Sequence, residues 1–220
     1  MSRRFDLIIF DWDGTLMNSA ERIVSAFLAS IEDLNGPGRT QNDILNIIGL
    51  GMMEAIQTLY PDADETFCEQ LRDRYRYHFL ENPQVPSSSL FEGAEKLLQR
   101  LNEDDYLLAV ATGKARRGLS QVFDETGMGD YFHTSRCADE CFSKPHPQMI
   151  QEIMEQFAVD PERTLMIGDT EYDLQMANNA GVSSLGVSYG VHALERLEQC
   201  QPLDCVHSLD ELAIWLGNHA

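Results

Sequence analysis

The chain has 220 residues, 43% of them hydrophobic and 9% aromatic, enough for one substantial core plus a smaller second unit. Its formal net charge of −20 argues against nucleic acid or an anionic membrane surface as a partner, because both need cationic surface. An anionic substrate would have to be met locally, by a metal or by a few placed cations. The five cysteines (Cys68, Cys137, Cys141, Cys200, Cys205) form no Cys-x-x-Cys and resemble no zinc site, so they read as reduced thiols of a cytoplasmic protein. The N-terminal Met-Ser-Arg-Arg-Phe-Asp does not read as a secretory signal, and no run approaches the roughly 18 apolar residues of a membrane span.

In chain order, the first element is an apolar run from Leu7 to Phe10 that stops at Asp11-Trp12-Asp13-Gly14-Thr15. A short apolar run bounded by Asp-Gly reads as a buried strand and its turn. Side chains at i and i+2 share one side of an extended chain, so Asp11 and Asp13 should converge while Trp12 points away. Two carboxylates that close need a cation or a shared proton. Residues 17 to 85 then read as all-helical. A stripe of Ile23, Phe27, Ile31 and Leu34 ends at Gly36-Pro37-Gly38. A second helix starts at Thr40 and carries Ile44, Leu45, Ile47 and Ile48 into Gly49-Leu50-Gly51. A third holds Met53, Ile56 and Leu59, and a longer one from about Asp64 holds Phe67, Leu71, Tyr75 and Phe79. Pro83, Pro86 and three serines form a linker.

From Leu90 the chain alternates. Helix 92–102 leads to strand 107–112, helix 115–126 to an extended stretch at 131–135, helix 147–157 to strand 164–169, and helix 171–180 to strand 184–187. A last helix, the strand 203–206 and a final helix follow. Repeated βα units imply an α/β fold, a doubly wound, Rossmann-like parallel sheet with the all-helical segment inserted after its first strand. The division expected is a core of 1–16 and 87–220 and a helical domain of 17–86.

Three strands end in reactive side chains: Asp11, Thr112 and Asp169. Thr112-Gly113-Lys114 offers a hydroxyl and backbone N–H groups that suit a phosphate, although Thr112 equally fits an ordinary helix N-cap. Lys144 sits in Ser143-Lys144-Pro145-His146-Pro147, a stiff loop before a helix whose first residue is Pro147. Gly168-Asp169-Thr170-Glu171-Tyr172-Asp173 places more carboxylates after the next strand. Glu171 reads as a helix N-terminal acid.

These four stretches, in this order, resemble motifs I to IV of the haloacid dehalogenase superfamily: Asp-x-Asp-Gly-Thr, a Ser or Thr, Lys-Pro-x-Pro and Gly-Asp-x-x-x-Asp. The insertion resembles the helical cap of its phosphoglycolate phosphatase-like and β-phosphoglucomutase-like group. Asn18 departs from the Asp that many relatives carry there, at the hinge into the cap. The resemblance implies an Mg²⁺-dependent phosphatase acting on a small phosphate monoester, phosphoglycolate-like or a sugar phosphate. Asp11 would be the nucleophile, Asp13 the general acid–base, and Thr112 and Lys144 would bind the phosphoryl group. Gly113, Lys114 and the cap-loop glycines Gly49 and Gly51 would contact substrate. The metal site would draw on Asp11, Asp13 (by its backbone carbonyl), Asp169 and Asp173, the last outside the first ligand sphere or holding the lysine. Alternatives are a mutase-type phosphotransferase, a pyrophosphatase or nucleotidase, a receiver-like switch, and a binding protein without turnover. A monomer or homodimer is expected.

Overall fold

The computed structural model describes residues 4–219. The Met1-Ser2-Arg3 part of the basic N-terminal stretch lies outside them. In chain order the elements are β1 (Leu7–Phe10), β2 (Met17–Asn18), α1 (Ala20–Asp33), α2 (Gln41–Leu45), α3 (Met52–Leu59), α4 (Glu65–Leu80), β3 (Ser89–Leu90), α5 (Ala94–Glu103) and β4 (Leu107–Thr112). They continue with α6 (Arg116–Thr126), β5 (Thr134–Cys137), α7 (Gln148–Phe157), β6 (Thr164–Gly168), α8 (Glu171–Ala180), β7 (Ser183–Val187), α9 (Leu194–Gln199), β8 (Cys205–Val206) and α10 (Leu209–His219).

The six-stranded sheet runs β5-β4-β1-β6-β7-β8, and every pairing in it is parallel. Its first strand therefore lies inside the sheet, with Leu7 opposite Leu107 on one side and Thr164 on the other. The pleat sorts the apolar run to two faces. Ile8 and Phe10 join Leu108, Val110, Leu165 and Ile167 against Leu98 of α5 and Leu212 of α10. Leu7 and Ile9 join Ala109, Ala111 and Met166 against Ile150 and Ile153 of α7 and Met176 of α8. Both faces are covered, which is why the strand is apolar at every position rather than alternating.

Helices α1–α4 bury their apolar stripes against one another, around Phe27, Ile44, Ile56, Leu71 and Tyr75. The chain leaves for them through β2 and returns through β3. These two strands pair antiparallel, Met17 with Leu90 and Asn18 with Ser89, so Asn18 stands in the stalk of the insertion. The helix expected from Thr40 to Ile48 is shorter. Thr40 and Asp43 close a reciprocal capping box, but α2 stops at Leu45, and turns lead to Gly49 at φ 103°, a backbone that suits glycine. Pro147 caps α7 rather than opening it, so the helix begins at Gln148, one residue later than expected. The extended stretch expected at 131–135 divides into a 3₁₀ turn at Met128–Tyr131 and β5, because Gly127, at φ 71°, ends α6 and turns the chain first. Among the described residues, no helix is long and apolar enough to cross a membrane.

Candidate active site

The loops that follow β1, β4, β5 and β6 meet at the carboxyl edge of the sheet, where an open α/β sheet offers its crevice. Asp11 is the first residue past β1 and is fully buried. Its Oδ1 accepts a hydrogen bond from Lys144 Nζ at 2.6 Å, while its Oδ2 is buried with no hydrogen-bond partner. Lys144 Nζ donates a second bond to Asp173 Oδ1, also at 2.6 Å, and neither side chain is exposed. Asp173 Oδ2 accepts from the Thr170 backbone N–H at 3.0 Å and the Thr170 hydroxyl at 2.7 Å, so the capping box of α8 fixes the carboxylate that fixes the lysine. Asp169 accepts from the Thr15 hydroxyl at 2.8 Å and from the Val191 N–H at 2.8 Å. One oxygen from each of Asp11, Asp169 and Asp173 lies within 4.8 Å of the others.

Three buried carboxylates thus face a single ammonium. Burial pushes the Asp11 carboxyl well above the usual range, the nearby Asp173 and Asp169 add to this, and Lys144 opposes it. Asp169 is pushed up to about 7 by burial and then by Asp173. Burial works against the charge on Lys144, yet Asp11 and Asp173 outweigh it and hold the ammonium above its ordinary value. The surplus negative charge and the all-oxygen donor set suit one hard divalent cation such as Mg²⁺.

The strand alternation suggested that the Asp11 and Asp13 carboxylates converge, but in the fold each has its own partners. Asp13 already belongs to the turn, and its Oδ1 accepts from Ser19 Oγ at 2.6 Å while its Oδ2 pairs with Lys114 Nζ at 3.0 Å. Its carboxylate is not a member of the acidic cluster. Gly14 makes this turn possible. It sits at φ 85°, and a Cβ there would fall 2.1 Å from Asp169 Oδ2. Trp12 points the other way and is buried edge-on to Phe123 and Phe132.

Thr112 is not a helix cap. Ala115 occupies that place, and the Thr112 hydroxyl accepts from the Lys114 N–H at 3.2 Å. A Cβ on Gly113 would lie 2.6 Å from the carbonyl oxygens of both Gly49 and Leu50, so glycine admits the loop of the helical insertion onto the core. That loop is pinned by Ser143 Oγ, which accepts from the Gly51 N–H at 2.7 Å. Asn46 adds two contacts: its carbonyl accepts from the Tyr172 hydroxyl at 2.7 Å and its side-chain oxygen from Arg196 at 2.6 Å. Glu171, read as a helix-end acid, also pairs with Arg196 at 2.5 Å. Arg116, at the start of α6, is committed to Glu140 and Ser135. Between insertion and core lies a cavity of about 430 Å³, with Asp11, Asp13, Thr112, Gly113, Lys114 and Gly49 among its lining. Thr15, Ser143, Tyr172 and Arg196 went unassigned in the sequence. Nearness to the motifs could have signalled Thr15, Ser143 and Tyr172, but nothing in the sequence marks Arg196, which lies in α9 well past the last of them.

The family model for haloacid dehalogenase-like hydrolases matches residues 8–187. The chain is 35% identical to the "Probable phosphatase IndB" of Dickeya dadantii over 94% of its own length and 91% of that protein's. It is 28% identical to the pyrophosphatase PpaX of Listeria welshimeri, over 96% of each chain. Among solved structures it is similar to a predicted phosphatase from Clostridium acetobutylicum, with a TM-score of 0.86 and 26% identity over 99% of this chain and 100% of that one.

Proposed function

The chain belongs to the haloacid dehalogenase-like hydrolases, and we propose that within them it is an Mg²⁺-dependent phosphatase that hydrolyses a small phosphate monoester through an aspartyl-phosphate on Asp11. The observation that carries this reading is the Asp11–Lys144–Asp173 bridge, with one Asp11 oxygen left free of any bond. Lys144 holds Oδ1, so the unpartnered Oδ2 is the oxygen left to react. Its attack forms a bond to phosphorus, and the bond from phosphorus to the leaving alcohol breaks, which splits one hard step into two. Asp13, held by Ser19 and Lys114 apart from the acidic cluster, gives its proton to the departing alcohol. It then takes a proton from the water that hydrolyses the acyl phosphate, releasing phosphate and restoring Asp11. The Thr112 hydroxyl, the Gly113 N–H and Lys144 bind the phosphoryl oxygens, and positioning of this kind supplies most of the catalysis in phosphoryl transfer. Asp11, Asp169 and the backbone carbonyl of Asp13 would hold the Mg²⁺, with Asp173 beside it. Bound there, the ion would offset the charge between carboxylate and phosphate.

Residues 17–86 act as a cap on the core formed by 1–16 and 87–220. The docking of Gly49–Gly51 on Gly113 and Ser143 supports that role, since it keeps bulk water from the aspartyl group while the ester is cleaved. The protein works in the cytoplasm, as a monomer or homodimer, on a small molecule rather than on nucleic acid. Phosphate release from a panel of esters and pyrophosphate, with and without Mg²⁺, tests the reading. The expected result is release of free phosphate that depends on the metal. Transfer of the phosphoryl group to a second hydroxyl without free phosphate would replace hydrolysis by a mutase reaction. A preference for pyrophosphate would match the relatives named for it.

A further inference from the structure

From the walls of the cavity we infer that the leaving alcohol carries an apolar, ring-sized body rather than a carboxylate or a polyol; the inference rests on the phosphatase reading and names the class of ester taken by that same site. The polar groups Asp11, Asp13, Thr112 and Lys114 lie together on the core side. Opposite them the insertion contributes Ile23, Phe27, Ile47, Met52, Tyr75 and Phe79. Two aromatic rings continue this side, Tyr75 and Phe79 stacked at 5.5 Å, and the buried Phe27 backs Tyr75 with ring centroids 4.4 Å apart. Such a surface takes an aliphatic or aromatic body by burial and ring contact.

Charge selects against the alternatives. Of the two lysines at the site, Lys144 bridges Asp11 and Asp173 and serves the phosphoryl group, and Lys114 is paired with Asp13, so a substrate carboxylate would have to compete with carboxylates already in place. Lys114 also lies 4.7 Å from the Phe79 ring centroid, which draws its ammonium against that ring. The exposed charged residues that line the cavity are Arg76 and Arg117 among the acids Asp73, Glu81 and Asp139, a mouth with more negative than positive groups. A polyol would lose water from its hydroxyls against Ile23, Ile47, Met52 and Phe79, which offer no hydrogen bond in return, and the Tyr75 hydroxyl can answer only one of them. An apolar body loses nothing there, and a site of this kind discriminates by what it fails to pair.

The test compares kcat/KM at fixed Mg²⁺ for benzyl phosphate, phosphoglycolate, glucose 6-phosphate and acetyl phosphate. Benzyl phosphate is chosen over an aryl ester because its leaving alcohol is about as poor a leaving group as a sugar alcohol, so a preference reports the cavity and not the chemistry. Binding of benzylphosphonate and of phosphonoacetate by calorimetry gives a readout without turnover. The expected result is at least a tenfold preference for benzyl phosphate over phosphoglycolate and glucose 6-phosphate, with benzylphosphonate the tighter ligand. In Met52→Lys, the ratio of kcat/KM for benzyl phosphate to that for phosphoglycolate should fall at least tenfold, and an unchanged ratio counts against the inference. Phosphate release that favours phosphoglycolate or glucose 6-phosphate overturns the inference and leaves the phosphatase standing. No release from any ester overturns the phosphatase reading, and the phosphonate comparison then decides the inference by itself.

Discussion

Lys144 is the side chain on which the site turns. It is buried to 2% exposure between two carboxylates at 2.6 Å each. Removing one partner of such a buried set costs about 3–5 kcal/mol, because the charges left behind have no water to answer them. Asp11 and Asp13 are two residues apart yet stand in different surroundings, one among carboxylates and one beside Lys114 and Ser19. That separation lets one act as nucleophile and the other carry protons. Asp13→Asn should therefore lower kcat by about 10²–10⁴ for an ester of an alkyl alcohol. With an ester of an acidic phenol, which leaves without help, the same variant should accumulate phosphorylated Asp11, read by intact-protein mass spectrometry. An unphosphorylated, fully active variant would remove Asp13 from proton transfer. The sequence marks the reactive residue types because each follows an apolar strand. It does not mark their partners: the Thr15 hydroxyl and the carboxylate it serves, Asp169, stand 154 residues apart, and only the closed sheet joins them.

At the scale of the element, β1 decides the layout. It pairs on both sides, with β4 and β6, so the loops after these three strands open side by side and bring residues from far apart in the chain to one edge. The turn after it has little freedom. In Gly14→Ala the new methyl would meet Asp169 in a backbone at φ 85° that L-residues seldom adopt. The expected outcome is a lower melting temperature in the metal-free protein and loss of the response to Mg²⁺, both read by thermal unfolding. Unchanged melting would mean that the turn relaxes freely. Elements carried by periodicity or by long apolar runs were legible in the residues, as with the strand at 107–112 and the helix at 171–180. Those that ended early were not. At α2 the apolar pattern runs on through Ile47 and Ile48, but these side chains serve the interior of the insertion from turns rather than from a helix. Periodicity alone cannot distinguish the two.

For the whole molecule, the net charge of −20 and a buried acidic cluster point the same way: the fold holds more negative charge than its own cations answer. A divalent cation that binds only the folded state should stabilise it by about 2.7 kcal/mol at one hundred times its dissociation constant. Mg²⁺ should therefore raise the melting temperature of the native chain. In Asp169→Asn the shift should be small or absent, and an equal shift in that variant would locate the ion elsewhere. The insertion and the core are joined by the stalk and by contacts from Asn46 and Gly51, so the cavity belongs to neither unit alone. The sequence suggested a loop at Gly49–Gly51 near the site. It could not tell that Gly113 leaves room for it, because a missing Cβ matters only once another segment fills the space.

The covalent role of Asp11 is the centre of this account, and the variant Asp11→Asn tests it most directly. Phosphate release from the preferred ester should fall to background while the circular dichroism spectrum and the cooperative melt persist, and no phosphorylated protein should form during turnover. Substantial release by that variant would contradict the account and move the nucleophile to another group.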